Sequence, residues 1–594
     1  MKCRDDRNEW AAAKLVQKWF KESVTCDDEP YIIDLEQALA VANDSKNTIV
    51  VARAGSGKTR TIVAKIVYLA ARCNIRPDEI LVFVFNANAA AEINARLSRM
   101  RVDGDLVMGD ARVASTFHAF SRKMIYGVCG YEKECGEILA GEKERFVSAI
   151  IRTMLGQSEW LGKIKKLIAD GGLEDENDGA IAEEDLMRLV RMMTSFIDRA
   201  QQRFLGGNKG LGDSVRDYLK GEGMEERERI FLEVGAECYK RYHWYLLNGK
   251  RRLVGFESYG TDFNLIVSWA SKLIHKKPVK VKRILSNKKY ILIDEYQDFS
   301  QLFLAAVLAI REVAVSAKLF VVGDDWQAIN RFAGSEVRYF KNFEEFFLDD
   351  CERVEISTNY RCDRMIVSEA RKFMVKAMLE QGNFRTYSRR LGNVVLVNPE
   401  KVELEYALVK YDNRISTEDR IYREAIERAL GRTPKKITVK YLKTAVQIIK
   451  RNKRRREILF LHRNNEMDAD GVALDSFAVA LKWSLAKLKI IDEIEFNAKI
   501  RVMTMHKSKG LEAEVVVILE ADEGIIPKMH PDTELYKFFD ETMKEALDDQ
   551  KRLFYVAMTR AKRRLYIMHK KAKRRKDDGF VRYLSGSLRY LDEV

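Results

Sequence analysis

Thr48-Ile49-Val50-Val51-Ala52 runs directly into Arg53-Ala54-Gly55-Ser56-Gly57-Lys58-Thr59. A short β-branched run, a glycine turn and then a helical pattern make the strand–loop–helix context in which a phosphate loop works. The glycines let backbone N–H groups point inward at phosphate oxygens. Lys58 supplies charge to the β- and γ-phosphates, and the Thr59 hydroxyl can hold Mg²⁺. Ala52 stands where the simplest form of the pattern has its first glycine. Taken alone, the loop could be a chance glycine-rich turn.

The next motif removes most of that ambiguity. Tyr290-Ile291-Leu292-Ile293 ends in Asp294-Glu295-Tyr296-Gln297-Asp298. An apolar strand that stops at a carboxylate pair places the acids at the C-terminal edge of a sheet, where open α/β sheets bind ligands. Asp294 suits a Mg²⁺ site and Glu295 suits polarisation of an attacking water. A third strand leads into Gly323-Asp324-Asp325-Trp326-Gln327-Ala328-Ile329-Asn330-Arg331-Phe332. There Gln327 is placed to sense a γ-phosphate, with Trp326 and Phe332 close by. Taken alone, Phe332 reads as a core residue rather than a base platform.

Further along are Asn359-Tyr360-Arg361, then Thr504-Met505-His506-Lys507-Ser508-Lys509-Gly510-Leu511-Glu512, then Tyr555-Val556-Ala557-Met558-Thr559-Arg560. A transferring phosphoryl group needs cationic stabilisation, and an arginine supplied from a second lobe provides it. One such arginine would more often be a surface charge. The order and spacing of all the pieces carry the reading.

The rest of the chain frames these motifs. Its 594 residues exceed what one core serves, so three or four domains or subdomains are expected. The net charge of +15 fits a polyanionic partner. Eight scattered cysteines include no CxxC pair, which leaves no zinc-ribbon or redox-dithiol spacing. The N-terminus resembles no signal peptide and no uncharged run reaches the roughly 20 residues of a membrane helix, so a cytoplasmic protein is expected. Buried strands are predicted at 48–52, 80–85, 290–293, 319–322, 353–356, 458–461, 500–504, 515–519 and 564–568, with helical patterns between most of them. That rhythm predicts an α/β protein. Residues 121–285 read as a mostly helical insertion and residues 385–455 as a charged segment. Basic runs lie at Lys450–Arg456 and Lys570–Lys576.

The full set of motifs resembles the superfamily 1 helicases of the UvrD/Rep type over about residues 34–590, and within them the helicase IV branch. The resemblance rests on Gln37, ARAGSGKTR, FNANAAAEI, STFHAF, DEYQDFSQ, GDDWQAINRF, NYR, MHKSKGLE and YVAMTRAK, in the family's order. It implies two RecA-like lobes: residues 1–120 and 286–360 would form the first, around the 121–285 insertion, and residues 361–594 the second. It implies ATP and Mg²⁺ as ligands, with Thr59 and Asp294 at the metal. The loop Ala54, Gly55, Ser56, Gly57, Lys58 and Thr59 would hold the phosphates. Gln37 would read the adenine edge, Arg60 and Tyr360 would sandwich the base, and Glu512 would meet the ribose. Lys58, Asp294, Glu295, Gln327, Arg361 and Arg560 would carry hydrolysis.

On the nucleic-acid side the resemblance points to Phe85, Asn86, Thr116, His118, Phe332, Thr504 and His506. The implied partners are single-stranded DNA and single-strand/duplex junctions, with 3′-to-5′ movement and duplex unwinding. Two departures stand out. Asn330 occupies a position where many relatives carry a stacking Tyr. Thr504 follows Arg463 by only 41 positions, where UvrD and Rep insert a whole domain. That regulatory subdomain is therefore expected to be missing or reduced to a helix and loop between 464 and 500. A competing reading is a non-unwinding, nucleic-acid-stimulated ATPase that remodels a protein partner such as RNA polymerase, as HelD-type proteins do. Those proteins need long arms, and only 36 residues precede Gln37 here. A nuclease fusion is a weaker alternative, since no carboxylate–lysine cluster follows Arg560.

Overall fold

The computed structural model of the chain describes residues 6–129, 136–138, 140–169, 181–205, 210–221, 223–248, 259–378, 384–401, 416–452, 457–467, 471–529, 531–570, 579–585 and 590–591. Most of the basic runs at 450–456 and 570–576 lie outside the described residues. The chain divides into two compact units. Unit 1 comprises Met1–Ala52, Lys58–Ile356 and Pro531–Met543; unit 2 comprises Arg53–Gly57, Ser357–His530 and Lys544–Val594. No helix among the described residues is long and apolar enough to cross a membrane.

Unit 1 is built on a six-stranded sheet of β1 (Asn47–Ala52), β2 (Ile80–Val84), β3 (Ala114–Thr116), β4 (Tyr290–Ile293), β5 (Lys318–Gly323) and β6 (Cys351–Ile356). The order across the sheet is β6-β1-β5-β4-β2-β3, and every pairing is parallel. Parallel strands are covered on both faces, which is why β1 and β4 are buried at every position. The helix α1 (Lys58–Arg72) leaves the phosphate loop and buries Ile62, Val63, Ile66 and Val67 against one face. The opposite face packs on Phe117, Leu302, Val307 and Ile310.

The stretch predicted as a helical insertion contains five described helices between Ala140 and Leu247, with their own core around Phe146, Ile150, Val190, Phe196 and Phe231. One segment from far along the chain joins this core. Pro531–Met543, which the sequence places among second-lobe residues, groups with unit 1. Tyr536, Phe538 and Phe539 enter the insertion's core. Asp532, 1% exposed, accepts from both Arg188 (2.9 Å) and Arg227 (2.7 Å), and Arg199 pairs with Glu541 at 2.5 Å.

Unit 2 has its own six-stranded parallel sheet, of β9 (Asn393–Val397), β10 (Ile458–His462), β11 (Ile500–Thr504), β12 (Ala513–Ile518), β13 (Ala561–Met568) and β14 (Tyr590–Leu591). The order is β11-β10-β12-β13-β9-β14. Two further short strands, β7 (Thr358–Asn359) and β8 (Arg385–Thr386), pair with each other in parallel. In the short interval after Arg463, the described residues form a two-stranded ribbon and the helices Leu474–Lys487 and Glu493–Lys499. Phe477, Leu481 and Leu485 of the first helix belong to the core of unit 2 itself, so the described residues of this interval pack into that core.

Candidate active site and strand-facing edge

In unit 1 the hydrolysis motifs converge at the C-terminal edge of the sheet. β4 ends at Ile293, and the Asp294 N–H donates to Phe83 O on β2 (2.9 Å), fixing where the carboxylates emerge. Lys58, the first residue of α1, places Nζ 3.8 Å from Glu295 Oε2. Glu295 sits at φ 51°, in the left-handed region that costs a non-glycine residue about 1–3 kcal/mol and recurs at functional sites. Gln297 ties the second motif to the third. Its amide donates to the Glu295 carboxylate, and its Oε1 accepts the Asp324 N–H at 2.9 Å. Asp324 Oδ2 in turn accepts from Gln327 Nε2 at 2.6 Å. Gly323 makes room for this chain: a Cβ there would lie 2.5 Å from Gln297 Oε1.

Asp294 is 6% exposed, and burial together with the Glu295 charge pushes its carboxyl pKa well above the ordinary range. The folded protein therefore holds this proton where the unfolded chain has released it. The associated stability is fully present below the ordinary carboxylate range and is lost as pH rises through the raised value. Asp294→Asn removes that cost while keeping an acceptor for the Glu295 N–H, which Asp294 Oδ1 accepts at 2.9 Å. It is expected to raise the melting temperature at pH 7.5 by about 1–3 °C without divalent cation. Thermal melts of both proteins, with turnover assayed in parallel and expected to vanish, check this.

The same edge carries Phe85 and Thr116, two of the residues assigned to the strand. One pocket is lined by Phe85, Thr116 and Phe263 and also by Asp294, Glu295 and Asp298. Phe85 is 44% exposed although it follows β2 directly. Asn86 caps the helix Ala87–Leu97, its Oδ1 accepting the Ala89 N–H at 2.8 Å. Thr116 Oγ1 likewise accepts the Ala119 N–H at 3.1 Å. His118 stacks on Phe263 at 4.8 Å and 17°. Phe263, 40% exposed, was not singled out from sequence; it follows the helix cap Asp262, whose carboxylate accepts the Leu265 N–H. Phe332 is 54% exposed, which corrects its reading as core: it lies on a one-turn 3₁₀ segment, Arg331–Ala333, that buries no residue. Trp326 is the reverse, fully buried and so closed to a base.

Two further predicted residues of unit 1 lie near the start of the chain. Gln37 completes a capping box with Asp34 at the head of Leu35–Ala42. The Arg60 guanidinium lies over the ring of Tyr31 at 4.8 Å, a neighbour that no sequence pattern marked.

In unit 2, Gly55 and Gly57 of the loop adopt φ of 69° and 85°, a conformation glycine reaches without steric cost. Asn359 Nδ2 donates to Ala54 O (2.6 Å) and the Tyr360 N–H to Gly55 O (2.9 Å). A Cβ on Gly55 would lie 2.7 Å from Asn359 Nδ2, so the close approach also requires glycine. Arg361 Nε meets Glu512 Oε2 at 2.6 Å, and Lys562 meets the other carboxylate oxygen at 2.7 Å. Burial works against the Glu512 charge, but the Lys562 hydrogen bond and the two cations outweigh it and hold its carboxyl below the usual range. Arg560 is 1% exposed and donates to Val556 O (2.9 Å) and Leu511 O (3.2 Å), joining two of the motifs. Tyr360, 43% exposed, pairs with Tyr387 at 5.1 Å. Thr504 ends β11, and burial with the nearby Arg463 and Lys509 charges lowers the His506 pKa to about 4, so the imidazole is neutral at physiological pH.

A phosphate loop, a buried Asp294 followed by a half-buried Glu295, and a linked glutamine on a parallel α/β sheet define a P-loop NTPase of the RecA-like class. The model of the UvrD/REP helicase N-terminal domain matches residues 33–348, and that of the UvrD-like helicase C-terminal domain matches residues 474–572. The chain belongs to the UvrD/REP helicase family, whose enzymes are ATP-dependent DNA helicases. It is similar to DNA helicase IV of Escherichia coli (strain K12), with 26% identity over 90% of this chain and 68% of that protein. It is also 22% identical to a probable DNA helicase of Mycoplasma pneumoniae over 90% of this chain and 83% of that one. The DNA helicase PcrA of Leuconostoc citreum matches at 27% over 56% of this chain and 38% of its own length.

Proposed function

We propose that this chain travels 3′ to 5′ on single-stranded DNA and opens duplex at single-strand/duplex junctions, with ATP hydrolysed at Lys58 and Glu295. The observation that carries the reading is the pocket that Asp294 and Glu295 share with Phe85, Thr116 and Phe263. Through it, a change at the phosphate-facing carboxylates reaches aromatic faces able to stack bases. Base stacking is worth about 1–3 kcal/mol per base and tolerates any sequence, as a motor that tracks along a strand requires.

In this reading Gln327, Arg361 and Arg560 engage the γ-phosphate, Gln37, Arg60 and Tyr360 hold the adenine, and Glu512 meets the ribose. Phe85, Asn86, Thr116, His118, Phe263, Phe332, Thr504 and His506 meet the strand. Thr59 and Asp294 are hard oxygen donors of the kind Mg²⁺ takes, and a cation there would relieve the cost of ionising buried Asp294. When bound, Mg²⁺ supplies charge compensation to the β- and γ-phosphates. The rest falls to the chain: Lys58 neutralises the phosphates, Glu295 orients the attacking water, and the Gln297–Asp324–Gln327 chain of hydrogen bonds reports the outcome.

Direction is tested by displacement of streptavidin from end-biotinylated oligonucleotides. The expected result is ATP-dependent release from the 5′ end, with the 3′-biotinylated strand unaffected. Release from the 3′ end alone would reverse the assigned polarity.

A further inference from the structure

Unit 2 carries a basic groove that none of the hydrolysis or strand motifs uses. It runs between the helix Arg364–Met378 and the short strand β8. Arg364, Ser368, Arg371, Lys372, Val375 and Lys376 line it from the helix, at offsets of 0, 4, 7, 8, 11 and 12, which is one continuous helical face. Arg385 faces them from β8. Residues 364–390 hold seven Lys or Arg against two Glu. Glu369 is turned inward, 3% exposed, and accepts from Lys372, the Ser585 N–H and the Ser585 hydroxyl. Arg364, Arg371, Lys376 and Arg385 have exposed side chains and form no ion pair among the described residues.

We infer that this groove binds the sugar–phosphate backbone of duplex DNA, as a site separate from the aromatic edge of unit 1. Arg364 to Lys376 spans about 18 Å along the helix, the length of about five phosphates of one strand of B-DNA. Uncompensated guanidinium and ammonium groups at that spacing recover entropy by releasing condensed counterions. The lining also selects the form of the nucleic acid. Single strands are held by exposed rings, as at Phe85 (44%), Phe263 (40%) and Phe332 (54%), whereas the sole aromatic lining this groove among the described residues is Phe384, 3% exposed. A site with charge and no stacking face reads backbone and not bases, which fits the intact duplex ahead of a junction. The inference rests on the chain acting on DNA.

The test uses the full chain and two variants, Arg371→Ala/Lys376→Ala and Arg371→Glu/Lys376→Glu, at exposed positions outside the hydrolysis motifs. Fluorescence anisotropy measures binding to a blunt duplex and to an oligo(dT) strand across a salt series, and ATPase stimulated by oligo(dT) is read on the same samples. The alanine pair is expected to weaken duplex binding by about 10-fold or more and to lower the salt slope by about 2, with the glutamate pair weaker again. Affinity for oligo(dT) and stimulated turnover stay within about twofold. Unchanged duplex affinity and slope would overturn the inference and leave the groove to an acidic protein. Equal losses on duplex and oligo(dT) would overturn it by making the groove part of the single-strand track. Absence of stimulated turnover in the unaltered chain would instead sink the helicase reading, a separate failure.

Discussion

Lys58→Ala is expected to lower ATP turnover by about 10²–10³-fold while affinity for single-stranded DNA changes by no more than about twofold. Lys58 opens α1 directly after the glycine loop, and its ammonium lies 3.8 Å from the Glu295 carboxylate. Alanine is a good helix former, so the substitution leaves α1 and its buried face intact. What is lost is the positive charge proposed to bind and polarise the phosphates. Phe85, Thr116, His118 and Phe263, the residues proposed to meet the strand, sit on other elements. A coupled ATPase assay beside anisotropy on oligo(dT) separates the two effects. Loss of strand binding as well would point to a misfolded lobe.

Glu295→Gln is expected to cut kcat by about 10²–10⁴-fold with little change in ATP affinity. The substitution preserves size and the ability to accept the Gln297 amide, but it removes the charge proposed to polarise water. Two observations mark Glu295 as held for a task. Its backbone is in the left-handed region, and its carboxylate oxygen Oε2 meets both the Gln297 amide and the Lys58 ammonium. A glutamate kept in place only for stability would not need that conformation. Binding of a fluorescent ATP analogue, compared with steady-state kcat, checks the prediction. An unchanged kcat would mean that another group orients the water.

Much of this was legible in the sequence because the motifs are local. A buried parallel strand followed by glycines or carboxylates writes its own signature, so β1, β4 and β11 and the chemistry at their ends read directly from the chain. β9 was harder, since Asn393–Val397 lies within a charged stretch that masks a short apolar run. Phe263 and Tyr31 could not be singled out, because a single aromatic residue becomes part of a site only through the neighbour the fold brings to it. Phe332 taken alone points to the core, since hydrophobicity predicts burial on average, and only the motif around it marks it for the strand. The docking of Pro531–Met543 on the insertion depends on pairs such as Arg188–Asp532, 344 residues apart, which carry no local signature at all.

ATP-dependent strand displacement on a short duplex bearing a 3′ single-stranded tail tests the central claim most directly. This chain is expected to separate the strands with ATP, to fail with Lys58→Ala, and to fail on the same duplex with a 5′ tail. Brisk DNA-stimulated ATP hydrolysis without any strand separation would contradict it, leaving a nucleic-acid-stimulated ATPase that remodels some other partner.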